Sequence, residues 1–138
     1  MRRPLFFTEK KMKENVKNQL IAEAKRSAEN AYCPYSGYAV GAAVLTEDGR
    51  IYGGCNIENA SYSLTICAER VAISKAVSDG AEKFTAICIY SAGGKMPYPC
   101  GACRQFIAEF SDDAEVIVTD GKEVCETKSS KLLPCSFR

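Results

Sequence analysis

The chain has 138 residues, 46% apolar and 25% charged, with a formal net charge of +1. That make-up fits one soluble globular domain that buries its own core without disulfide staples, and its mixed charge implies neither a nucleic-acid nor a membrane partner. Eight cysteines and no histidine leave sulfur and carboxylate as the metal ligands on offer and rule out imidazole as a general base.

Residues 1–8 read as a flexible leader, followed by a single domain over 9–138. Leu5-Phe6-Phe7 is too short for a secretory apolar region, and no apolar run approaches the roughly 18 residues of a membrane span. A reducing, cytoplasmic setting is therefore expected, and there clustered cysteines point to metal or catalysis before disulfides.

From about Glu9 to Asn30 the spacing of Met12, Val16, Leu20, Ile21, Ala24 and Ala28 predicts an amphipathic helix with a core-facing stripe. The loop Tyr32-Cys33-Pro34-Tyr35-Ser36-Gly37 follows. Tyr38 to Leu45 reads as a Gly/Ala-rich strand with a close neighbour, Glu47-Asp48-Gly49-Arg50 as a hairpin turn, and Ile51 to Cys55 as the returning strand. The polar stretch Asn56 to Ser63 leads into a helix from Cys67 to about Ser78, stopped by Gly80. Phe84 to Tyr90 shows little alternation, which predicts a central strand. A helix over Cys100 to Phe110, a strand over Glu115 to Thr119 and a weak strand near Glu123 to Glu126 complete the order α-β-β-α-β-α-β-β. That order predicts an α/β fold, a sheet with helices on both faces.

The chemistry concentrates in Cys67-Ala68-Glu69-Arg70 and, about thirty residues on, Pro99-Cys100-Gly101-Ala102-Cys103-Arg104. Three thiolates can hold one tetrahedral zinc and leave a fourth position for water, the pattern of a catalytic rather than a structural site. Cys67 and Cys100 fall where a loop runs into a helix, and the N-terminal dipole favours the thiolate there. Glu69 lies two residues past Cys67. An offset of two points away within a helix, so Cys67 has to sit where the backbone is not yet helical. Three thiolates and Zn²⁺ sum to −1, and Arg70 and Arg104 are candidates to return charge by bonding sulfur. Alone, Cys-x-x-Cys fits a redox pair or half a zinc knuckle, and Glu69 fits a dipole partner. Their joint occurrence matches the signature of zinc-dependent deaminases. Cys33, Cys55, Cys88, Cys125 and Cys135 lack paired spacing and mostly sit at positions that read as buried.

From about Leu20 to Phe137 the chain resembles the cytidine deaminase family in its short homotetrameric form. The segments that carry the resemblance are Pro34-Tyr35-Ser36, Val40-Gly41-Ala42-Ala43, Gly54-Cys55-Asn56-Ile57-Glu58-Asn59-Ala60, Cys67-Ala68-Glu69-Arg70 and Pro99 to Gln105. The resemblance implies a three-layer α-β-α sandwich with a five-stranded mixed sheet. It implies one Zn²⁺ per subunit on Cys67, Cys100 and Cys103, with Glu69 as proton shuttle. Asn56 and Glu58 would meet the ribose hydroxyls, Ala68 would offer backbone to the pyrimidine, and Tyr62 would join the substrate contacts. Tyr38 stands where the family usually has a base-packing phenylalanine. Phe137 matches an aromatic that the family inserts into a neighbouring subunit's site. The implied reaction is hydrolytic deamination of cytidine and deoxycytidine in pyrimidine salvage, by a homotetramer with shared sites acting on a small nucleoside.

Three other readings compete. A nucleic-acid editing deaminase needs a basic groove and stacking aromatics, which this near-neutral, Trp-free chain lacks. A blasticidin-type deaminase uses the same site chemistry. A non-catalytic zinc module with a fourth cysteine has no use for Glu69.

Overall fold

The computed structural model describes the backbone of residues 2–138 and the side chains from residue 14 onward. The first helix, α1, spans Arg2–Ala28, so its backbone is helical upstream of the expected start at Glu9. The flexible leader expected over residues 1–8, and Met12 in the helix stripe, lie outside the residues whose side chains are described.

Five strands form one mixed sheet in the order β2-β1-β3-β4-β5. They are β1 (Gly41–Thr46), β2 (Ile51–Cys55), β3 (Phe84–Tyr90), β4 (Glu115–Thr119) and β5 (Val124–Lys128). Every pairing is antiparallel except β3 with β4. The apolar run of β3 does place it at the centre, where both faces are covered.

Alternation of side chains across the pleat builds two cores. On one face, Leu20, Ala24 and Ala28 of α1 pack against Ala43, Ala86, Cys88, Tyr90 and Ile117. On the other, Ala68, Ala72, Ile73 and Ala76 of α2 (Ala68–Ser78) and Ile107 of α3 (Gly101–Glu109) cover Ala42, Val44, Ile87, Ile89, Val116 and Val118. The result is the three-layer α-β-α arrangement expected.

Small residues set the layer spacing. A Cβ on Gly54 would stand 2.5 Å from the Ala72 nitrogen and 2.9 Å from the Ala68 carbonyl oxygen. Glycine therefore lets α2 lie directly on β2, and the N-terminus of α2 is seated by that contact.

Several expectations need correction. Residues 38–40 are not strand, because the Asn56 side chain takes over their hydrogen bonding: the Val40 N–H donates to Oδ1 at 3.0 Å, and Nδ2 donates to Tyr38 O at 2.8 Å. The last strand runs Val124–Lys128 rather than 123–126, and it leads into a short helix, α4 (Ser129–Leu132), absent from the sequence reading. Of the five spare cysteines only Cys88 is buried; Cys33 and Cys55 are half-buried, and Cys125 and Cys135 are exposed. Burial pushes the Cys88 thiol up to about 12. No helix among the described residues is long and apolar enough to cross a membrane.

Candidate active site

Two helices, α2 and α3, begin at a cysteine. Cys67 is the N-cap of α2 with extended backbone (φ −71°, ψ 154°), and Cys100 is the N-cap of α3 (φ −69°, ψ 173°). The non-helical geometry at Cys67 is what an offset of two to Glu69 demands. Cys103, in the first turn of α3, completes the group: the three sulfurs lie within 4.8 Å of one another.

The donor set fits zinc. Tetrahedral coordination with Zn–S near 2.3 Å separates sulfurs by about 3.8 Å, and the Cys67 and Cys100 sulfurs are 3.9 Å apart. Cys103 is buried, Cys67 half-buried and Cys100 exposed, so the group is sealed behind and open in front. Cys67 and Cys103 share protons unequally. Hydrogen bonding from the Cys103 thiol, with Arg70 behind it, holds Cys67 down at about 5. That bond to Cys67, with burial and the nearby Glu69 carboxyl, pushes Cys103 up. A divalent cation removes this asymmetry by deprotonating coordinating thiols outright.

Glu69, in the first turn of α2, is 4% exposed. Its burial disfavours the charged form and raises the carboxyl to about 7, with Cys67 adding to the rise. A group poised there can both take and give a proton near neutrality. One residue on, Nη2 of Arg70 lies 3.4 Å from Cys67 Sγ and 3.5 Å from Thr65 O. Bonding to the sulfur raises the guanidinium above its ordinary value. Arg104, the other arginine offered for sulfur, instead donates to Pro99 O and Leu132 O. Its side chain reaches back to the loop that precedes α3.

Cys67, Cys100 and Glu69 open into a cleft of about 460 Å³, whose lining includes Tyr38, Asn56, Glu58 and Ala68. Glu58 accepts from the Tyr35 and Ser36 N–H groups at 2.9 and 3.1 Å and from the Ser36 hydroxyl. That bond to the hydroxyl, with the two N–H groups, holds its carboxyl below the usual 4.5. The Tyr38 ring lies over Gly93, where a Cβ would stand 2.7 Å from it.

Two expected contacts are not in the cleft of the single chain. Tyr62, 75% exposed, sits on a single 3₁₀ turn that carries its ring outward to meet Tyr35 edge-on at 6.0 Å. It borders an adjoining hollow with Ser36, Glu58 and Thr65. Phe137 is 79% exposed and does not line the cleft. The sequence reading also missed one wall of the cleft, Lys95, Met96, Pro97 and Tyr98. Its one signal was position, directly before Pro99-Cys100.

Comparison with known proteins agrees with this geometry. Residues 14–119 match the family described as the cytidine and deoxycytidylate deaminase zinc-binding region. A cytidine deaminase of Sporosarcina psychrophila is 53% identical over 121 residues, 86% of this chain and 89% of that protein. The chain belongs to the cytidine deaminase family. A second member, from Halalkalibacterium halodurans, is 45% identical over 88% of this chain and 93% of its own. The crystal structure of the family member from Burkholderia pseudomallei superposes with a TM-score of 0.83 at 43% identity, covering 87% of this chain and 98% of that one.

Proposed function

We infer that the protein is a zinc-dependent hydrolase that removes the C4 amino group of cytidine and deoxycytidine, giving uridine, deoxyuridine and ammonia. One observation carries the reading: the buried Glu69 carboxyl lines one cleft with Cys67 and Cys100, and the Cys103 sulfur lies within 4.8 Å of those two sulfurs. Cys67, Cys100 and Cys103 would hold zinc, which would supply Lewis-acid activation of water at neutral pH.

The chain's own residues do the rest. Glu69 takes a proton from the attacking water and delivers it to N3, making C4 electrophilic. The water's OH adds at C4; Glu69 then takes the proton of that hydroxyl and gives it to the exocyclic nitrogen, and the C–N bond breaks as ammonia leaves and the C4 carbonyl forms. Arg70 spreads positive charge onto Cys67, so that three thiolates do not quench the metal. The Tyr38 ring packs on the base, and the Ala68 backbone faces the pyrimidine.

Asn56 and Glu58 bind the sugar hydroxyls. Asn56 commits one N–H and one oxygen site to the Tyr38–Val40 segment and keeps a second N–H free to donate. Glu58 is fixed by three donors with about one acceptor position left. A carboxylate there repels a phosphate, so free nucleosides are the substrates rather than nucleotides.

The assembly is a homotetramer with shared sites. Its support is the exposed apolar set Tyr32, Ile57, Tyr62, Leu64 and Ile66 beside the cleft, together with exposed Phe137; Phe137 enters a neighbour's cleft, and Tyr62 reaches substrate from the rim. Eight free thiols suit the reducing cytoplasm, where the reaction serves pyrimidine salvage. Ammonia release from cytidine, with zinc measured on the same sample, tests the reading. About one zinc per chain with turnover supports it, and an active zinc-free preparation overturns it. Comparable efficiency on CMP would overturn the nucleoside preference alone.

A further inference from the structure

Arg104 does something other than neutralise sulfur. Its Nε donates to Pro99 O at 2.7 Å and its Nη1 to Leu132 O at 2.9 Å. Pro99 is fully buried and directly precedes Cys100, so its carbonyl has no water to turn to if the guanidinium is withdrawn. Leu132 ends α4 and packs against the core cluster under α2 and α3. The N-terminus of α4 is anchored to the turn before β4, where the Ser129 N–H donates to Ala114 O at 2.9 Å and the Ala114 N–H to Ser129 Oγ at 3.0 Å. The next residue, Gln105, donates from Nε2 to Phe137 O at 3.1 Å. Two consecutive side chains of α3 thus hold the C-terminal segment, and one of them also holds the loop that delivers Cys100.

We propose that Arg104 is a positioning residue that ties the Pro99–Cys100 turn to the end of α4, so that zinc retention and the seating of α4 are coupled. This rests on the reading of the three cysteines as zinc ligands. A planar guanidinium presents donors in a fixed fork and sets the angle between two carbonyls, which a lysine ammonium cannot do. Arg104 follows Cys103 directly and reaches back to the residue before Cys100, so the same residue brackets both ligands of α3. Coupling between two sites is reciprocal. Whatever the seated α4 contributes to metal retention, the metal contributes equally to its seating.

The test uses the full-length, zinc-loaded protein and follows zinc release to a chromogenic chelator. Arg104→Ala is expected to release zinc about tenfold or more faster than wild type, the scale set by loss of a group that orients a ligand, with Arg104→Lys in between. Gln105→Ala and Arg138→Ala are the controls. They loosen only residues 137 and 138, beyond α4, where Gln105 holds the Phe137 carbonyl and Arg138 donates to Ser111 O at 2.7 Å, without touching Pro99 or Leu132, and they are expected to release zinc at the wild-type rate. Amide exchange at 130–133 should quicken when zinc is removed from wild type and should not respond to zinc in Arg104→Ala. Wild-type release from Arg104→Ala, or equal acceleration in both controls, overturns the proposal. If the alanine variant does not fold, Arg104→Lys with wild-type release and zinc-sensitive exchange overturns it. A wild-type protein that holds no zinc refutes the ligand assignment, a separate result.

Discussion

The Arg70 guanidinium stands 3.4 Å from the Cys67 sulfur, and its Nε is buried without a partner of its own. Cationic charge is therefore delivered to a sulfur rather than spent on a carboxylate. Arg70→Gln should keep the fold and lower kcat/KM by about 10–100-fold, the usual cost of removing a group that tunes a metal ligand. Steady-state kinetics beside metal analysis checks this, and an unaltered kcat/KM would sink the assigned role.

Glu69→Gln keeps the shape of the buried side chain but cannot shuttle protons. Turnover should fall by at least about 10²–10⁴-fold, the range attributed to general acid–base groups, while zinc content stays at the wild-type level. A variant with near-normal rate would remove Glu69 from the mechanism.

Gly54→Ala tests the seating of α2. The added methyl would meet the backbone at Ala72 and Ala68, which cannot rotate aside as a side chain can, so the helix must lift. Overpacking of this kind costs about 1–3 kcal/mol. Urea unfolding of wild type and variant measures it, and the shift should appear in the midpoint rather than the slope. Equal midpoints would show that α2 has room to spare.

Glu58 makes a pH-dependent contribution. Its folded-state carboxyl lies below the ordinary 4.5 because the Ser36 hydroxyl and the Tyr35 and Ser36 N–H groups bond the ionised form. The stabilisation is thus fully present above 4.5 and is lost as pH falls through the depressed folded value. Wild type should be more stable than Glu58→Gln at pH 7, with the gap closing in acid. Urea midpoints of both proteins across that range check it, and a gap that persists in acid would count against the bonded carboxylate.

Much of this could be read from the residues alone, and the reasons differ by element. Phe84–Tyr90 and Glu115–Thr119 were bounded correctly because each is an apolar run ended by polar or turn-forming neighbours. The cysteine caps were legible because an offset of two works only at a helix start. Arg104 could only be offered as a candidate, because adjacency in sequence says nothing about where a long side chain ends, and its partners include a carbonyl 28 residues away. The short α4 has no periodicity to detect; the reciprocal bonds of Ser129 and Ala114 hold it in place. Tyr62 and Phe137 point outward, and nothing in the residue pattern signals that exposure.

Cys67 and Cys100 are 33 positions apart, and the segment between them contains all of α2 and β3. An ion gripping both sulfurs therefore also fastens a loop around the middle of the sheet. Closing a ring of that length by a covalent link removes unfolded-chain entropy worth on the order of 3–4 kcal/mol. A metal clasp at this point acts in the same sense, so starvation for zinc should cost the cell folded enzyme as well as catalysis.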